Sequence, residues 1–220
     1  MRVGAGTRPR ECEHAVPLIF PFPIFLFNPF TADFVEQSNA MAIAKGKSPM
    51  RWEEVWKHFG TALDRRTIIH AWLSSAAMFA AASAGYRTVF SVDDRSYYMD
   101  YLDVQWQSVY GTDILSGLTN ASSLPLILGG QLCAWGETID AASVLSVIWP
   151  RAAAAAERLW SYNFDTAKAT DYDVVTRISQ LRCSLLERGI PASGLGVSSA
   201  GDMRPAWTVG SCAGGYRKLC

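Results

Sequence analysis

This sequence of 220 residues contains eight tryptophans, and their indole rings are the side chains best suited to bind a ligand. A buried indole needs a hydrogen-bond partner for its N–H, so packing rarely accounts for so many. Flat aromatic faces suit the apolar C–H faces of a sugar ring, and the surplus of tryptophan therefore indicates a carbohydrate-binding surface. A tryptophan-rich hydrophobic core explains the same number equally well, and composition does not decide between the two.

The charged residues and the cysteines exclude several other classes of function. Basic and acidic residues balance at 20 each, which gives no electrostatic reason to expect nucleic acid or an anionic membrane as a partner. The five cysteines contain no C-x2-C pair, the spacing typical of zinc sites, and they are too few for a disulfide-built scaffold. We therefore expect neither a metal nor a cofactor.

Two weaker signals favour the secretory pathway. Asn120 begins an N-x-S triplet, the acceptor pattern for N-linked glycosylation, in a polar and turn-rich stretch. Cys183, Cys212 and Cys220 lie around a tail rich in glycine and serine, where one disulfide could hold the end of the chain. The odd number of cysteines leaves at least one thiol free.

Alternating strand-like and helix-like patterns predict an α/β fold. Apolar runs predict strands at residues 52–56, 67–72, 87–92 and 124–132. Helical patterns predict helices at residues 34–43, 73–84, 140–149, 150–160 and 174–185, and glycine follows several of them. Such strands, separated by helices, indicate a parallel sheet that is covered on both faces. The polar and aromatic loops follow the carboxyl ends of the strands, where ligand sites of these folds lie.

Six segments of the chain carry recognisable motifs. The two most specific are GGQLCAWGETID at residues 129–140 and IWPRAAAAAERLWS at residues 148–161. The others are RWEEVW (51–56), TIIHAW (67–72), GYRTVFS with YYMDYLDVQW (85–106) and RISQLRCSLLERGI (177–190). All six resemble, in the right order, the β-N-acetylhexosaminidases of glycoside hydrolase family 20. The resemblance implies a (β/α)8 TIM barrel, of which this chain holds the C-terminal half, about strands 5 to 8.

The reaction that the resemblance implies is retaining hydrolysis of terminal N-acetylglucosamine or N-acetylgalactosamine from glycans or chitin oligomers. In this family the substrate's own 2-acetamido oxygen is the nucleophile, a Glu is the general acid, and the preceding Asp orients the acetamido group. That Asp-Glu pair lies at the end of the fourth strand. The adjacent carboxylates of this chain, Glu53-Glu54 and Asp93-Asp94, do not resemble it, so we expect the acid to be absent.

Four aromatic residues match family positions that hold the terminal sugar. Trp52, Trp72 and Trp135 match the tryptophans that wall the sugar subsite. Tyr98 matches the tyrosine whose hydroxyl binds the acetamido oxygen and holds it for attack on the anomeric carbon. The family usually has Trp at the preceding position, which leaves Tyr97 as an alternative to Tyr98.

Two carboxylates, Asp100 and Glu137, match positions that accept hydrogen bonds from the outer hydroxyls of the sugar. Ordinary interpretations stay open for both: Asp100 as a surface carboxylate, and Glu137 as a charge favoured near a helix N-terminus. Four other tryptophans are expected to be core residues: Trp56, Trp106, Trp149 and Trp160. Three histidines are expected to be solvated or packed: His14, His58 and His70.

The motifs divide the chain into three parts. Residues 34–191 form the partial catalytic barrel. Residues 1–33 lie outside it, because prolines interrupt an apolar run that is too short to span a membrane; a targeting segment and misread non-coding sequence are the alternatives. Residues 192–220 form a tail, tethered through Cys183, which matches a family cysteine whose partner here is expected to be Cys212 or Cys220. The resemblance predicts a lysosomal, vacuolar or extracellular location.

Four strands cannot close a barrel, and a half-barrel exposes a sheet edge at each side. We expect such a chain to aggregate, to form a homodimer or to need the missing N-terminal half-barrel. The leading hypothesis is a fragment of an active hexosaminidase. The alternatives are a non-catalytic sugar-binding or decayed remnant of the family, and an interaction module with a degenerate pocket.

Overall fold

The computed structural model describes residues 29–93, 97–161 and 168–195, which alternate between helices and short strands. In chain order these are α1 (Pro29–Ala44), β1 (Met50–Trp52), α2 (Glu53–Phe59), β2 (Ile68–Ala71), α3 (Ser75–Ser83), β3 (Arg87–Phe90), α4 (Trp106–Gly111), β4 (Ile127–Gly130), α5 (Val144–Ile148), α6 (Arg151–Ser161) and α7 (Tyr172–Glu187). Two 3-10 helices, Gly60–Ala62 and Ala121–Leu126, precede β2 and β4.

The four strands form one parallel sheet in the order β1-β2-β3-β4. Trp52 at the end of β1 pairs with His70 in β2, and Phe90 at the end of β3 pairs with Gly130 at the end of β4. Within the described residues, β1 and β4 are the edge strands. The predicted α/β fold with a parallel sheet is therefore confirmed.

One face of the sheet packs against helices. Ile69 of β2 is fully buried and clusters with Val35 of α1 and Val55 of α2. Successive side chains along a strand point to opposite faces, so Trp52 and its register partner His70 lie on the other face from Ile69. The helix-covered face supplies apolar burial, and the opposite face is left to carry the aromatic side chains.

A second hydrophobic cluster joins α4, α6 and α7. Trp106 of α4 packs with Ala154 of α6 and Ile178 of α7, and all three side chains are buried. The indole N–H of Trp106 also donates to the carbonyl oxygen of Leu195 at 2.8 Å. This bond fastens the end of the described chain to α4 and satisfies the polar atom of a buried indole.

The predicted strand at residues 52–56 is wrong. β1 ends at Trp52, and the following residues form α2. Glu53 and Glu54 occupy the first turn of this helix, where the helix dipole favours acidic side chains. The buried carboxylate of Glu53 also binds backbone N–H groups beyond β2, which holds this first residue of α2 in place directly after the strand.

Two other predicted elements are too long. Asn120 caps the 3-10 helix before β4, and Pro125 within that helix has no N–H to donate to a sheet, so the strand predicted at 124–132 is short. The helix predicted at 140–149 begins late. The carboxylate of Asp140 accepts hydrogen bonds from the backbone N–H groups of Ala142 and Ser143, at 3.0 and 2.9 Å, and this turn precedes α5.

Trp160 is not a core residue, contrary to expectation, because 91% of its surface is exposed. The buried face of α6 carries Arg151, Ala154 and Arg158, and Trp160 projects from the opposite side of the helix. The other three tryptophans lie in the hydrophobic clusters as expected: Trp56, Trp106 and Trp149.

The remaining predicted helices are confirmed. Gly46 and Gly85, which follow α1 and α3, have φ angles of 70° and 91°, a conformation that suits glycine after a helix. Helix α1 begins at Pro29, inside the segment expected to lie outside the fold. Residues 1–28 and 196–220 lie outside the described residues. None of the helices in the described ranges is long and apolar enough to cross a membrane.

Candidate functional site

The residues expected to bind sugar all lie at the carboxyl edge of the parallel sheet. They follow the four strands in turn: Trp52 closes β1, Trp72 follows β2, Tyr98 and Asp100 follow β3, and Trp135 and Glu137 follow β4. Loops at this edge of a parallel sheet carry the ligand sites of α/β folds. The fold therefore places the six residues on the same side of one sheet.

Trp52 and Trp72 form an aromatic corner. Their ring centroids are 6.2 Å apart and their planes are inclined at 76°, an edge-to-face arrangement. Trp52 is 40% exposed and Trp72 is partly buried. The corner thus presents two flat surfaces at nearly a right angle, one of them open to solvent.

Trp72 is held from two sides by neighbouring glutamates. Both carboxylate oxygens of Glu54 accept a hydrogen bond from the indole Nε1 of Trp72, at 2.9 and 3.0 Å. One oxygen of Glu53 accepts from the backbone N–H groups of Trp72, Leu73 and Ser74, at 3.0, 2.8 and 3.1 Å. No role in the site was predicted for this pair from the sequence. The sequence feature that could have indicated a role is the position of two adjacent carboxylates directly after a tryptophan.

Tyr98 lies against Trp135. Tyr98 is 5% exposed, and its side chain shares a hydrogen bond with the indole of Trp135. An indole N–H can only donate, so the phenol oxygen is the acceptor and the phenolic O–H stays available to another partner. Tyr97 is fully buried and packs edge-to-face on Phe90 at 5.1 Å, which places it in the core rather than at the site.

The environment of Tyr98 keeps its phenol neutral. Burial is the main cause that raises the pKa of Tyr98 well above its usual value. The nearby Cys133, Asp93 and Asp100 raise this pKa further, and the hydrogen bond from Trp135 acts in the opposite direction. Tyr98 is therefore a hydrogen-bond donor throughout the physiological pH range.

The loops after β3 and β4 are joined into one unit. The backbone N–H of Met99 donates to the carbonyl of Cys133 at 2.6 Å, and that of Cys133 donates to the carbonyl of Tyr97 at 2.9 Å. The hydroxyl of Thr138 donates to the carbonyl of Asp100 at 2.6 Å. These bonds fix the two loops relative to each other, and with them the side chains that both loops carry.

Arg151, at the start of α6, supports the loop after β3 through hydrogen bonds to its backbone. Its guanidinium is buried and donates to the carbonyl oxygens of Met99 at 2.6 Å, Tyr101 at 2.7 Å and Val147 at 2.9 Å. No role was predicted for Arg151 from the sequence. The available signal was an arginine that opens a run of alanines, where a charge is unexpected unless it is buried and bonded.

The two expected carboxylates differ in their surroundings. Asp100 is partly buried, and its buried Oδ1 has no hydrogen-bond partner in the part of the chain that the structure describes. Such an atom is a candidate acceptor for a ligand hydroxyl. Glu137 is exposed in the loop before α5, and no helix begins beside it, which removes the helix-terminus interpretation.

Two further predictions concern covalent modification. Asn120 is exposed, and its carbonyl oxygen accepts hydrogen bonds from the backbone N–H and the hydroxyl of Ser122, at 3.1 and 2.7 Å. Glycosylation there stays a prediction. Cys183 is buried in α7, and its expected partners, Cys212 and Cys220, lie outside the described residues, so the disulfide also stays a prediction.

Comparison with known proteins identifies the family to which this chain is similar. Residues 24–163 match the model of the glycosyl hydrolase family 20 catalytic domain. Beta-hexosaminidase 1 of Arabidopsis thaliana is 42% identical over 180 residues, which cover 81% of this chain and 33% of the relative. Beta-hexosaminidase 3 of the same plant is 38% identical over 162 residues, or 74% of this chain and 30% of the relative. The chain thus spans about a third of the length of these relatives.

Solved structures share the fold. The Flavobacterium johnsoniae chitobiase matches 74% of this chain and 27% of its own length, with a TM-score of 0.60 and 27% identity. A Vibrio harveyi exo-β-N-acetylglucosaminidase in complex with N-acetylglucosamine matches 73% of this chain and 27% of its own, with a TM-score of 0.59 and 23% identity. The parallel sheet and its helices are therefore an arrangement found in enzymes of this family.

Proposed function

Since the chain belongs to glycosyl hydrolase family 20, we propose that it forms one side of a β-N-acetylhexosaminidase site that holds the terminal N-acetylhexosamine of a glycan or chitin oligomer. The observation that carries the proposal is the gathering of Trp52, Trp72, Tyr98 and Trp135 at the carboxyl edge of one parallel sheet. Relatives named beta-hexosaminidase support the substrate class.

We further propose that β1 to β4 correspond to strands 5 to 8 of a (β/α)8 barrel, with residues 34–191 as its catalytic part. The parallel order of the strands and the share of the relatives that the chain covers both support this assignment. The edges of β1 and β4 would then pair with an N-terminal half-barrel or with a second copy in a homodimer.

Tyr98 takes the central role in recognising the acetamido group. Its phenol is neutral, and the hydrogen bond from Trp135 occupies only its oxygen lone pair, so the O–H is free to donate to the acetamido carbonyl. A donor fixed in this way holds the carbonyl oxygen for attack on the anomeric carbon, which is the step in which the substrate assists its own hydrolysis.

The rest of the pocket orients the sugar ring. The aromatic corner of Trp52 and Trp72 offers a flat surface to the C–H face of the pyranose. Asp100 offers a sugar hydroxyl a buried oxygen that accepts no hydrogen bond from the described residues, and Glu137 offers an exposed carboxylate to another hydroxyl. Together these residues bind and orient the sugar, and none of them is placed as the general acid.

We propose that this chain alone binds the sugar but does not hydrolyse it, because the catalytic Asp-Glu pair has no counterpart that we identify in its sequence. A fragment of an active enzyme and a non-catalytic sugar-binding remnant agree on this point. They differ on complementation, since only the fragment gains turnover when a matching N-terminal half-barrel is added.

Calorimetric titration of the purified full chain with N-acetylglucosamine tests the binding. We expect saturable heat from the wild-type chain and its loss in Trp135→Ala, with Trp160→Ala as a matched control because Trp160 is exposed on α6 and is not one of the residues of the proposed site. A chromogenic N-acetylglucosaminide should not be cleaved. Absence of binding heat from folded wild-type protein would refute the proposed function.

A further inference from the structure

Glu53 and Glu54 are adjacent in sequence and hold the same tryptophan by different groups. Glu53 binds the backbone N–H of Trp72, and Glu54 binds its indole N–H. Trp72 lies just past the end of β2, while both glutamates begin α2 after the neighbouring strand β1. The contact therefore crosses from one strand end to the next at the edge that carries the site.

The two carboxylates do different work. Glu53 is fully buried, accepts three backbone N–H groups and pairs with Lys57 at 2.6 Å. Through these backbone bonds it fixes the path of the chain into α3. Glu54 is partly buried, and both of its oxygens accept from the side chain of Trp72. Glu54 is thus the residue whose bond depends on how the indole is rotated.

We propose that Glu54 is a positioning residue of the sugar site, which sets the rotation of the Trp72 indole and thereby the right-angled corner that Trp72 forms with Trp52. The inference rests on the proposed function, and it assigns to Glu54 a role in shaping the aromatic wall. Because both of its oxygens already accept the indole N–H, Glu54 is not placed as a proton donor to the substrate.

The geometry explains why such a residue is needed. Trp72 is only partly buried, so packing does not fix its side-chain torsions as a closed core would. The edge-to-face contact with Trp52, with ring centroids 6.2 Å apart and planes inclined at 76°, is lost if the Trp72 indole rotates about its side-chain torsions. A hydrogen bond to a carboxylate is strong and directional, and one at Nε1 selects a single orientation of the ring.

The test uses the full chain labelled with nitrogen-15 and follows the indole N–H signals by NMR. Trp72→Phe removes one signal and so identifies that of Trp72. In Glu54→Ala we expect this signal to shift and the affinity for N-acetylglucosamine to fall roughly tenfold, because a reoriented indole no longer presents the same face to the sugar. Glu54→Gln keeps one acceptor oxygen and should recover part of both. Glu36→Ala removes an exposed carboxylate from α1 and should change neither.

A double-mutant cycle separates positioning from general destabilisation. In the Trp72→Phe background, the Glu54→Ala change should cause no further loss of affinity, because phenylalanine has no indole N–H for Glu54 to bind. An additive loss in the double variant would overturn the proposal, as would an unchanged Trp72 signal or unchanged sugar affinity in Glu54→Ala. If wild-type protein binds no sugar, the proposed function fails, and a shifted indole signal would then show that the contact alone survives.

Discussion

The imidazole of His70 lies almost parallel to the indole of Trp52, with ring centroids 4.2 Å apart and planes inclined at 16°. The two residues are register partners on neighbouring strands. His70 is 4% exposed, and burial lowers its pKa below the ordinary value. The neutral, buried imidazole of His70 therefore supports the aromatic corner, and its protonation destabilises the folded chain.

This arrangement predicts a pH dependence of stability. The unfolded chain takes up a proton at His70 near the ordinary pKa of 6.5, whereas the folded chain does so only at lower pH. Between these two values the unfolded state binds more protons, so the free energy of unfolding falls as pH drops, by up to about 1.4 kcal/mol per pH unit for this group. Urea unfolding at several pH values measures the slope.

The variant His70→Gln should lose this contribution to the slope below pH 6.5, whatever its stability at neutral pH. His58→Gln changes an exposed histidine on α2 and leaves His70 in place, so it should keep the contribution of His70 to the slope. Equal slopes in the wild type and His70→Gln would show that His70 is not the group responsible.

Removing the guanidinium of Arg151 should destabilise the chain strongly. Arg151→Ala removes the hydrogen bonds that the guanidinium donates to the carbonyl oxygens of Met99, Tyr101 and Val147, and we expect a loss of about 3 kcal/mol or more in the free energy of unfolding. Arg151→Lys keeps the charge with fewer fixed donors and should fall in between. Urea unfolding provides the measurement, with exposed Arg188→Ala as the control. A loss in Arg151→Ala no larger than in that control would contradict the role.

Close packing at the end of β4 predicts that Gly130 tolerates no side chain. A Cβ there would lie 2.6 Å from the ring of Tyr97 and 3.3 Å from the carbonyl oxygen of Phe90. Gly130→Ala should therefore lower the free energy of unfolding by about 1–3 kcal/mol and displace the segment that carries Tyr98. Gly111→Ala meets nothing within 4 Å and serves as the control in thermal unfolding. Equal melting temperatures of the two variants would refute the prediction.

Expression in a eukaryotic secretory system should attach a glycan to Asn120. This side chain is exposed, and the two hydrogen bonds that it accepts from Ser122 use its carbonyl oxygen rather than the amide nitrogen that a glycan would join. Treatment with an amidase that removes N-linked glycans should reduce the apparent mass of the wild type and leave Asn120→Gln unchanged. A wild-type band that does not move would contradict the predicted glycosylation of Asn120.

The sequence predicted the sheet well because continuous apolar runs such as residues 67–72 and 87–92 have few other uses in an α/β chain. The prediction failed where the end of a strand depends on a hydrogen bond between a side chain and backbone that is distant in sequence. Glu53 ended β1 early by binding residues beyond β2, and no local pattern announces such a contact. No pattern predicted α4 either, since its six residues are too few to show periodicity.

Within the candidate site, motif resemblance selected residues at strand ends, and it could not supply their supports. The bonds of Glu54 to Trp72 and of Thr138 to Asp100 join segments that are well separated in sequence. Arg151 supports the loop of Tyr98 across an even longer separation. Such contacts depend on how the strands are ordered in space, which only the folded chain reveals.

Recognition of an N-acetylated sugar through Tyr98 makes the affinity of this edge of the sheet depend on the acetamido group. This dependence is measured by calorimetric titration of the full chain with N-acetylglucosamine and with glucose, side by side, in the wild type and in Tyr98→Phe. We predict tighter binding of N-acetylglucosamine by the wild type and a loss of roughly tenfold in that preference in Tyr98→Phe, with glucose affinity little changed. Equal affinity of the wild type for the two sugars, or a preference that survives in Tyr98→Phe, would contradict the account.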